Sequence, residues 1–413
     1  GAAEPAPVPA GAGAAPATLL ASTFFMPAFE GADEAFKEFI TSRLVYKYGQ
    51  RDLQDRMIIN WAVQRARLGE EHRLVPMWTL SDGNCLLHAS LLGIWGLHDK
   101  KQIAGLSSLR AAMCTLLGTS VATPMRERFL AENGRQNTEA GFAWDEDQEE
   151  AEWQRVLAEA RTQNTFLRPV HVLAMACVLK RPIIMYSVSR HDIAGSGLHS
   201  ECQQSRCGQD TVTRDAFNVP IAPVPFFGVY LPFLCPPESC SKQPLVLVFD
   251  AAHFMPLVAS ADAEGGEVHV PLCDKEYAPL PVRFRLSDDE VAGEKRVALL
   301  SSYLELKTMA AGSHDWEKEM ECAVLKREGT NELVAEMLEQ FVAAAEHQFK
   351  VVGPDEDQSA GGAAGLAKTN STSDRMLAEQ LGREAAGQTE LSDAEMAQRL
   401  QNEAFGGSAA APA

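Results

Sequence analysis

The chain has 413 residues, 46% of them hydrophobic, enough to bury a core in at least one domain. Its 37 lysines and arginines stand against 56 aspartates and glutamates, and the resulting net charge of -19 excludes nucleic-acid phosphates or anionic lipid as the principal partner. No apolar run approaches the roughly 18 residues that a bilayer span needs, so a soluble protein is expected.

Residues 1–19 are Ala- and Pro-rich and read as a disordered arm; without a basic n-region, neither a secretory signal nor a transit peptide is expected there. From residue 36 to 67 apolar side chains recur at helical spacing, with Leu53, Met57, Ile58, Trp61 and Val63 on one face, which predicts an opening helix. A turn cluster, Ser81-Asp82-Gly83-Asn84, leads into a run of helix formers over 85–92 with no breaker before Gly93. Cys85 is thereby predicted at a helix N-terminus. Acidic residues over 145–152 predict a solvated helix start, and 170–179 a buried helix ended by Arg181-Pro182. Apolar runs predict strands over 183–186, 227–231, 245–249 and 254–258, with His253 between the last two and a polar loop over 187–218. Elements mixed in this order argue for one α/β or α+β domain with a small central sheet flanked by helices.

Residues 311–352, with Leu325, Leu333, Met337 and Phe341 at helical spacing, predict a helical extension of one or two helices. Residues 353–372 hold Gly, Ala, Ser and Asp without an aromatic side chain and predict a flexible linker. Over 373–405 a pattern repeats after nineteen residues: each copy is a short helix with a Ser-Asp start and a narrow apolar stripe, Leu377/Ala378/Leu381 or Met396/Ala397/Leu400. Helices this short need a partner.

Nine cysteines, an odd number at ordinary density, suit a reducing cytosol or nucleus. Cys202 with Cys207 and Cys235 with Cys240 have a spacing loosely like that of a zinc site, but the second pair member lies farther off than in most structural zinc pairs; they read as thiols, and no metal or cofactor is expected. A thiol at a helix N-terminus gains from unpaired N–H groups and the helix dipole, both of which favour the nucleophilic thiolate. Ten histidines could supply a base. His88 lies one turn from Cys85, although a ring locked on the same turn is poorly placed between nucleophile and leaving group; His253, beside an apolar strand, is the stronger candidate.

Residues Ser81-Asp82-Gly83-Asn84-Cys85-Leu86-Leu87-His88-Ala89 resemble the active-site segment of the ovarian tumour (OTU) cysteine deubiquitinases. Four further segments resemble the Cezanne branch of that family: Ile94-Trp95-Gly96-Leu97-His98-Asp99, the stretch from His171 to Ile183, Gly228-Val229-Tyr230-Leu231-Pro232, and the stretch from Pro244 through Ala252-His253-Phe254. Their order and spacing hold from about residue 36 to 306. The resemblance implies a papain-like OTU catalytic domain over 20–310 that hydrolyses isopeptide bonds after the C-terminal glycine of ubiquitin in polyubiquitin chains. It implies Cys85 as nucleophile, His253 as general base and then acid, and Asp82 as shaping the oxyanion turn. Many OTU enzymes orient the histidine with an Asn or Asp two positions on, where this chain has Met255. Cezanne-type enzymes use an upstream acid instead, and alignment assigns that role to Asp55, with Asp52 as the fallback. Where relatives carry an acidic pair, this chain has Arg168-Pro169, so the substrate contacts of that pair are not carried over. The tail repeat resembles inverted ubiquitin-interacting helices, which implies that Leu377, Ala378, Leu381, Met396, Ala397 and Leu400 contact ubiquitin; docking onto the chain's own domain is the competing expectation. The implied partners are ubiquitin and polyubiquitin, engaged by a monomer. Two other functions compete, a catalytically silent ubiquitin-binding scaffold and a cysteine protease for another ubiquitin-like modifier.

Overall fold

The computed structural model describes residues 22–66, 68–80, 83–96, 104–118, 122–140, 143–163, 165–187, 226–250, 253–260, 266–310, 318–327 and 332–352. Strand β1 (Phe25–Met26) precedes three short helices, α1 (Glu34–Leu44), α2 (Lys47–Asp55) and α3 (Trp61–Arg65), and then β2 (Leu74–Pro76). Five helices follow: α4 (Cys85–Trp95), α5 (Ala104–Gly118), α6 (Ala122–Ala140), α7 (Glu146–Arg161) and α8 (Pro169–Leu179). The chain continues through β3 (Ile183–Ser187), β4 (Gly228–Tyr230), β5 (Leu245–Asp250), β6 (His253–Ser260), β7 (Glu267–Pro271), α9 (Glu294–Tyr303), β8 (Leu306–Ala310), β9 (Glu319–Lys326) and α10 (Glu332–Val352).

Local chemistry sets several of these boundaries. Asp33 caps α1 by accepting the Phe36 N–H at 2.7 Å, and Asp145 with Gln148 forms a capping box on the acidic start of α7. Helix α8 starts at Pro169, where a missing N–H costs nothing, and stops at the left-handed Lys180 just before Arg181-Pro182.

The main sheet runs β1-β6-β5-β3-β4, and β2 also pairs with β6, antiparallel. Alternation along its strands separates two cores. Ile183, Met185, Leu245, Leu247 and Phe254 pack with the apolar helices α4 and α8; Ile184, Val246, Val248 and Met255 pack with the second sheet and with Leu300 of α9. That second sheet is antiparallel, β7-β9-β8, and the Tyr186 hydroxyl ties the two together by donating to Pro271 O at 2.6 Å.

Three sequence expectations change. The single opening helix is three, because the chain breaks at Val45-Tyr46 and again over 56–60, where Met57 and Asn60 adopt positive φ. The helical extension over 311–352 is helical only in α10: Leu325 lies in β9, paired with Val268. The folded unit accordingly runs past residue 310; β9 is buried on most of its residues, and its apolar run without simple alternation reads like a helix in the sequence. Helix α10 lies against α1, with Phe349 at 5.6 Å from Phe36 and 5.2 Å from Phe39, ring centre to ring centre. The second sheet, α5 and α6 were not foreseen. The arm, the loop, the linker and the tail repeat fall largely or wholly outside the described residues. Among the described residues, no helix is long and apolar enough to cross a membrane.

A histidine pair stitches the second sheet to the segment ahead of β2. The rings of His72 and His269 stack with centres 4.3 Å apart, and neither ring nitrogen of His269 has a hydrogen-bond partner. Burial first, then His72 and Lys307, hold His269 down to about 4, against the opposing pull of Glu267 and Glu71; burial lowers His72 as well. Both rings are therefore neutral in the fold, while the unfolded chain takes up protons near pH 6.5. Their folded values lie below the unfolded one, so stability is full above pH 6.5 and drains away as pH falls toward 4. His269→Leu is expected to raise the unfolding free energy from urea titration at pH 5 by on the order of 1–2 kcal/mol relative to its effect at pH 8. An equal effect at the two pH values would remove His269 from this account.

Candidate active site

The pairing of β2 with β6 does not stop at Pro76. Met77 N–H donates to Pro256 O at 3.0 Å, and Val45 bridges Met77 from the other side. The extended chain thereby delivers Thr79, fully buried, beside the first residues of β6. Thr79 Oγ1 donates to Phe254 O at 2.6 Å and lies 2.6 Å from His253 Nε2. A hydroxyl has one proton. With that proton on Phe254 O, the hydroxyl meets the imidazole as an acceptor, so Nε2 carries the hydrogen and Nδ1 is the basic nitrogen of the neutral ring.

Six residues after Thr79 comes Cys85. Gly83, at φ +80, supplies a left-handed turn that a side chain would strain; Asn84 is the N-cap of α4, and Cys85 its first residue, 6% exposed. Helix α4 is buried along nearly its whole length and packs on β6 and β5. The thiol thus sits at the positive end of a helix, and the strand beneath that helix begins with His253. Both residues are placed by one feature, since the segment that holds the imidazole runs directly into the turn before Cys85. Signals for Thr79 existed in the sequence: it is the one hydroxyl closing an otherwise apolar extended stretch, Leu74-Val75-Pro76-Met77-Trp78-Thr79.

Asp55 is not brought to His253. It is the last residue of α2, exposed, and its side chain makes no hydrogen bond or ion pair among the described residues. The physical reason is the helix break at Arg56, which ends α2 with Asp55 on its solvent side. Asp52 pairs with Arg56 at 3.1 Å, and Arg56 reaches Asp250 at 2.7 Å; Asp250 is the register partner of His253 across β5 and β6. The fallback acid is therefore linked to the rim of the site through an arginine. Met255, 3% exposed, belongs to the core on the second-sheet face. His88 is buried in α4, 1% exposed.

His171 is structural. Its Nδ1 accepts the Arg168 N–H at 2.8 Å, and its Nε2 lies 3.0 Å from Val156 O; burial, with Arg168 and Arg110 adding to it, lowers its pKa to about 3. Arg168, at the position of the relatives' acidic pair, is ion-paired with Glu152 and Glu159. Asp82 lies outside the described residues, as do Leu377, Ala378, Leu381, Met396, Ala397 and Leu400 of the tail, and Cys202 and Cys207. The seven described cysteines are all outside disulfides, and no group of three or more metal-ligating side chains among the described residues could hold an ion.

Comparison with known proteins agrees with this geometry. The family of OTU-like cysteine proteases matches residues 80–254, a span that includes Cys85 and His253. Tumor necrosis factor alpha-induced protein 3 of Mus musculus is 28% identical over 284 residues, covering 65% of this chain and 32% of that protein. The Homo sapiens protein of that name is also 28% identical, with 31% of its length covered. Ubiquitin thioesterase trabid of Drosophila melanogaster is 27% identical over 336 residues, 78% of this chain and 38% of that protein. The chain thus spans about a third of the length of the curated relatives it matches. With a thiol at a helix N-terminus, a histidine opening the strand below it and a hydroxyl holding that histidine, the chain is similar, through residues 80–254, to the family of OTU-like cysteine proteases.

Proposed function

We propose that the chain is a thiol-dependent deubiquitinase that hydrolyses isopeptide bonds after the C-terminal glycine of ubiquitin in polyubiquitin chains. The observation that carries this reading is the hydrogen bond from His253 Nε2 to Thr79, which leaves Nδ1 as the basic nitrogen of an imidazole on the strand beneath the Cys85 helix. Nδ1 takes the thiol proton as the Cys85 sulfur bonds to the glycine carbonyl carbon, and the same proton passes to the leaving lysine amine as the C–N bond breaks. Water then attacks the thioester with His253 again as base, releasing ubiquitin and restoring the thiol. Backbone N–H groups at the start of α4, with the turn that contains Asp82, hold the oxyanion. Ubiquitin as the substrate is supported by the likeness to the trabid relative, a ubiquitin thioesterase. The segments quoted above ally the chain with the Cezanne branch. Cysteines outside disulfides support a reducing compartment, the cytosol or nucleus.

Incubation with ubiquitin bearing a C-terminal electrophile tests the reading by mass. A covalent adduct, with turnover of a ubiquitin C-terminal amide, is expected. Ubiquitin binding without adduct or turnover would favour the silent scaffold, and turnover of another modifier alone would favour the third reading.

In the same proposal, the two tail helices bind ubiquitin through Leu377, Ala378 and Leu381 and through Met396, Ala397 and Leu400, on a tether that raises the local concentration of chain ends. Removing residues 366–413 is expected to slow hydrolysis of long chains about tenfold or more while changing hydrolysis of a single ubiquitin amide by less than twofold. Equal effects on both substrates would end the avidity role.

A further inference from the structure

An N-cap asparagine ordinarily turns its side-chain oxygen onto a backbone N–H in the first turn of its own helix. Asn84 does not: its side chain makes no cap hydrogen bond, and its Oδ1 accepts instead from Arg110 Nη2 at 2.8 Å. The carbonyl of Asn84 takes the N–H groups of Leu87 and His88 at 2.8 and 3.0 Å. By position, the Leu86 N–H has no acceptor within the helix. It is the donor that a capping Oδ1 would take.

Arg110 is held from behind. It sits on α5, 6% exposed, and its Nη1 donates to three carbonyls at the end of α7: Glu159 O at 3.2 Å, Ala160 O at 3.0 Å and Thr162 O at 2.8 Å. Carbonyls at a helix C-terminus form the negative end of its dipole, which suits a guanidinium that stays charged even when buried. One nitrogen of the fork is thus anchored to α7 while the other reaches Asn84, a geometry that a lysine cannot reproduce.

We propose that Arg110 is a positioning residue for acyl transfer at Cys85: by occupying Asn84 Oδ1 it keeps that acceptor off the Leu86 N–H in the first turn of α4, which stays available to the developing oxyanion. This rests on the reading of Cys85 as the nucleophile. When Arg110 is lost, Asn84 Oδ1 turns onto the helix as an ordinary cap, and a donor needed only in the transition state is withdrawn. The loss falls on kcat, since the substrate's ground-state carbonyl gains little from that donor.

The test compares kcat and KM for hydrolysis of a ubiquitin C-terminal amide by the full chain, by Arg110→Lys, and by Arg110→Lys combined with Asn84→Ala. Lysine keeps a buried cation for the α7 carbonyls, which preserves the fold; an unchanged thermal midpoint checks this, and Arg110→Gln serves where lysine shifts it. The expected result is a kcat lowered about 10- to 100-fold with KM within about twofold, and recovery of about fivefold or more when the Asn84 side chain is also removed. A purely structural arginine would give no such recovery, because Asn84→Ala then only removes a further contact. A single variant with the parent's kcat, or a double variant no faster than the single one, overturns the proposal. A parent that turns over no ubiquitin amide overturns the functional reading first and this inference with it.

Discussion

Replacing Cys85 with alanine is expected to erase covalent capture of electrophilic ubiquitin and to lower hydrolysis about 10^4-fold or more, while ubiquitin binding persists. The size of the effect follows from the chemistry of other described thiols, which are poor substitutes. Burial pushes Cys273 and Cys322 up to about 12 and raises Cys114. Cys235 is pushed to about 12, chiefly through its hydrogen bond with Cys177. Thiols with such values hold their protons at neutral pH and attack slowly. The exchange removes one sulfur from the edge of the core, which costs about 1 kcal/mol of stability, too little to unfold the chain. Residual hydrolysis above about a hundredth of the parent rate, in protein with the parent's thermal midpoint, would place the nucleophile elsewhere.

Thr79→Val is the second large effect. The substitution keeps the shape and removes the hydroxyl, so Phe254 O loses its donor and His253 Nε2 its acceptor. An imidazole without that bond samples the other tautomer and other ring rotations, and kcat is expected to fall about 10- to 100-fold, or about 1.4–2.8 kcal/mol on the barrier. Thr79→Ser, which restores the hydroxyl, is expected to recover most of the rate; a stability loss of about 1–3 kcal/mol accompanies the valine variant, because a buried carbonyl is left unpaired. Asp55→Asn, by contrast, alters an exposed side chain without a partner and is expected to leave kcat within about twofold. The reverse pattern, a large loss from Asp55→Asn and a small one from Thr79→Val, would return the orienting role to the carboxylate.

The Cys85 helix and the His253 strand were legible because their signals are local. A Gly-containing turn before an unbroken helical run marks Cys85, and an apolar strand flanking a histidine marks His253; helix α8 and β3 declare themselves through apolar runs and a following Pro. What stayed hidden depends on distant pairing. Thr79 matters only because β2 lies along β6, a register between residues some 180 positions apart that no local pattern encodes. The same holds for β9, whose burial against β7 and α9 replaces alternation with an apolar run that fits a helix equally well. Asp55 was assigned by alignment to a helix whose end the sequence does not punctuate: no Gly or Pro separates Asp55 from Trp61, and the break rests on positive φ at Met57 and Asn60.

Strand β6 pairs with β1, β2 and β5 and begins with the histidine. For a chain made from its N-terminus, this fixes when the proposed activity can first arise. The thiol helix emerges from the ribosome 168 residues before His253, and β1 and β2 have no sheet to join until β6 follows. On the proposed reading, the nascent protein therefore carries the Cys85 thiol without His253 through most of the synthesis of the sheet. Contacts of such long sequence separation also make the last step of folding slow, so the appearance of hydrolysis reports completion of the sheet rather than formation of the helix that bears the nucleophile.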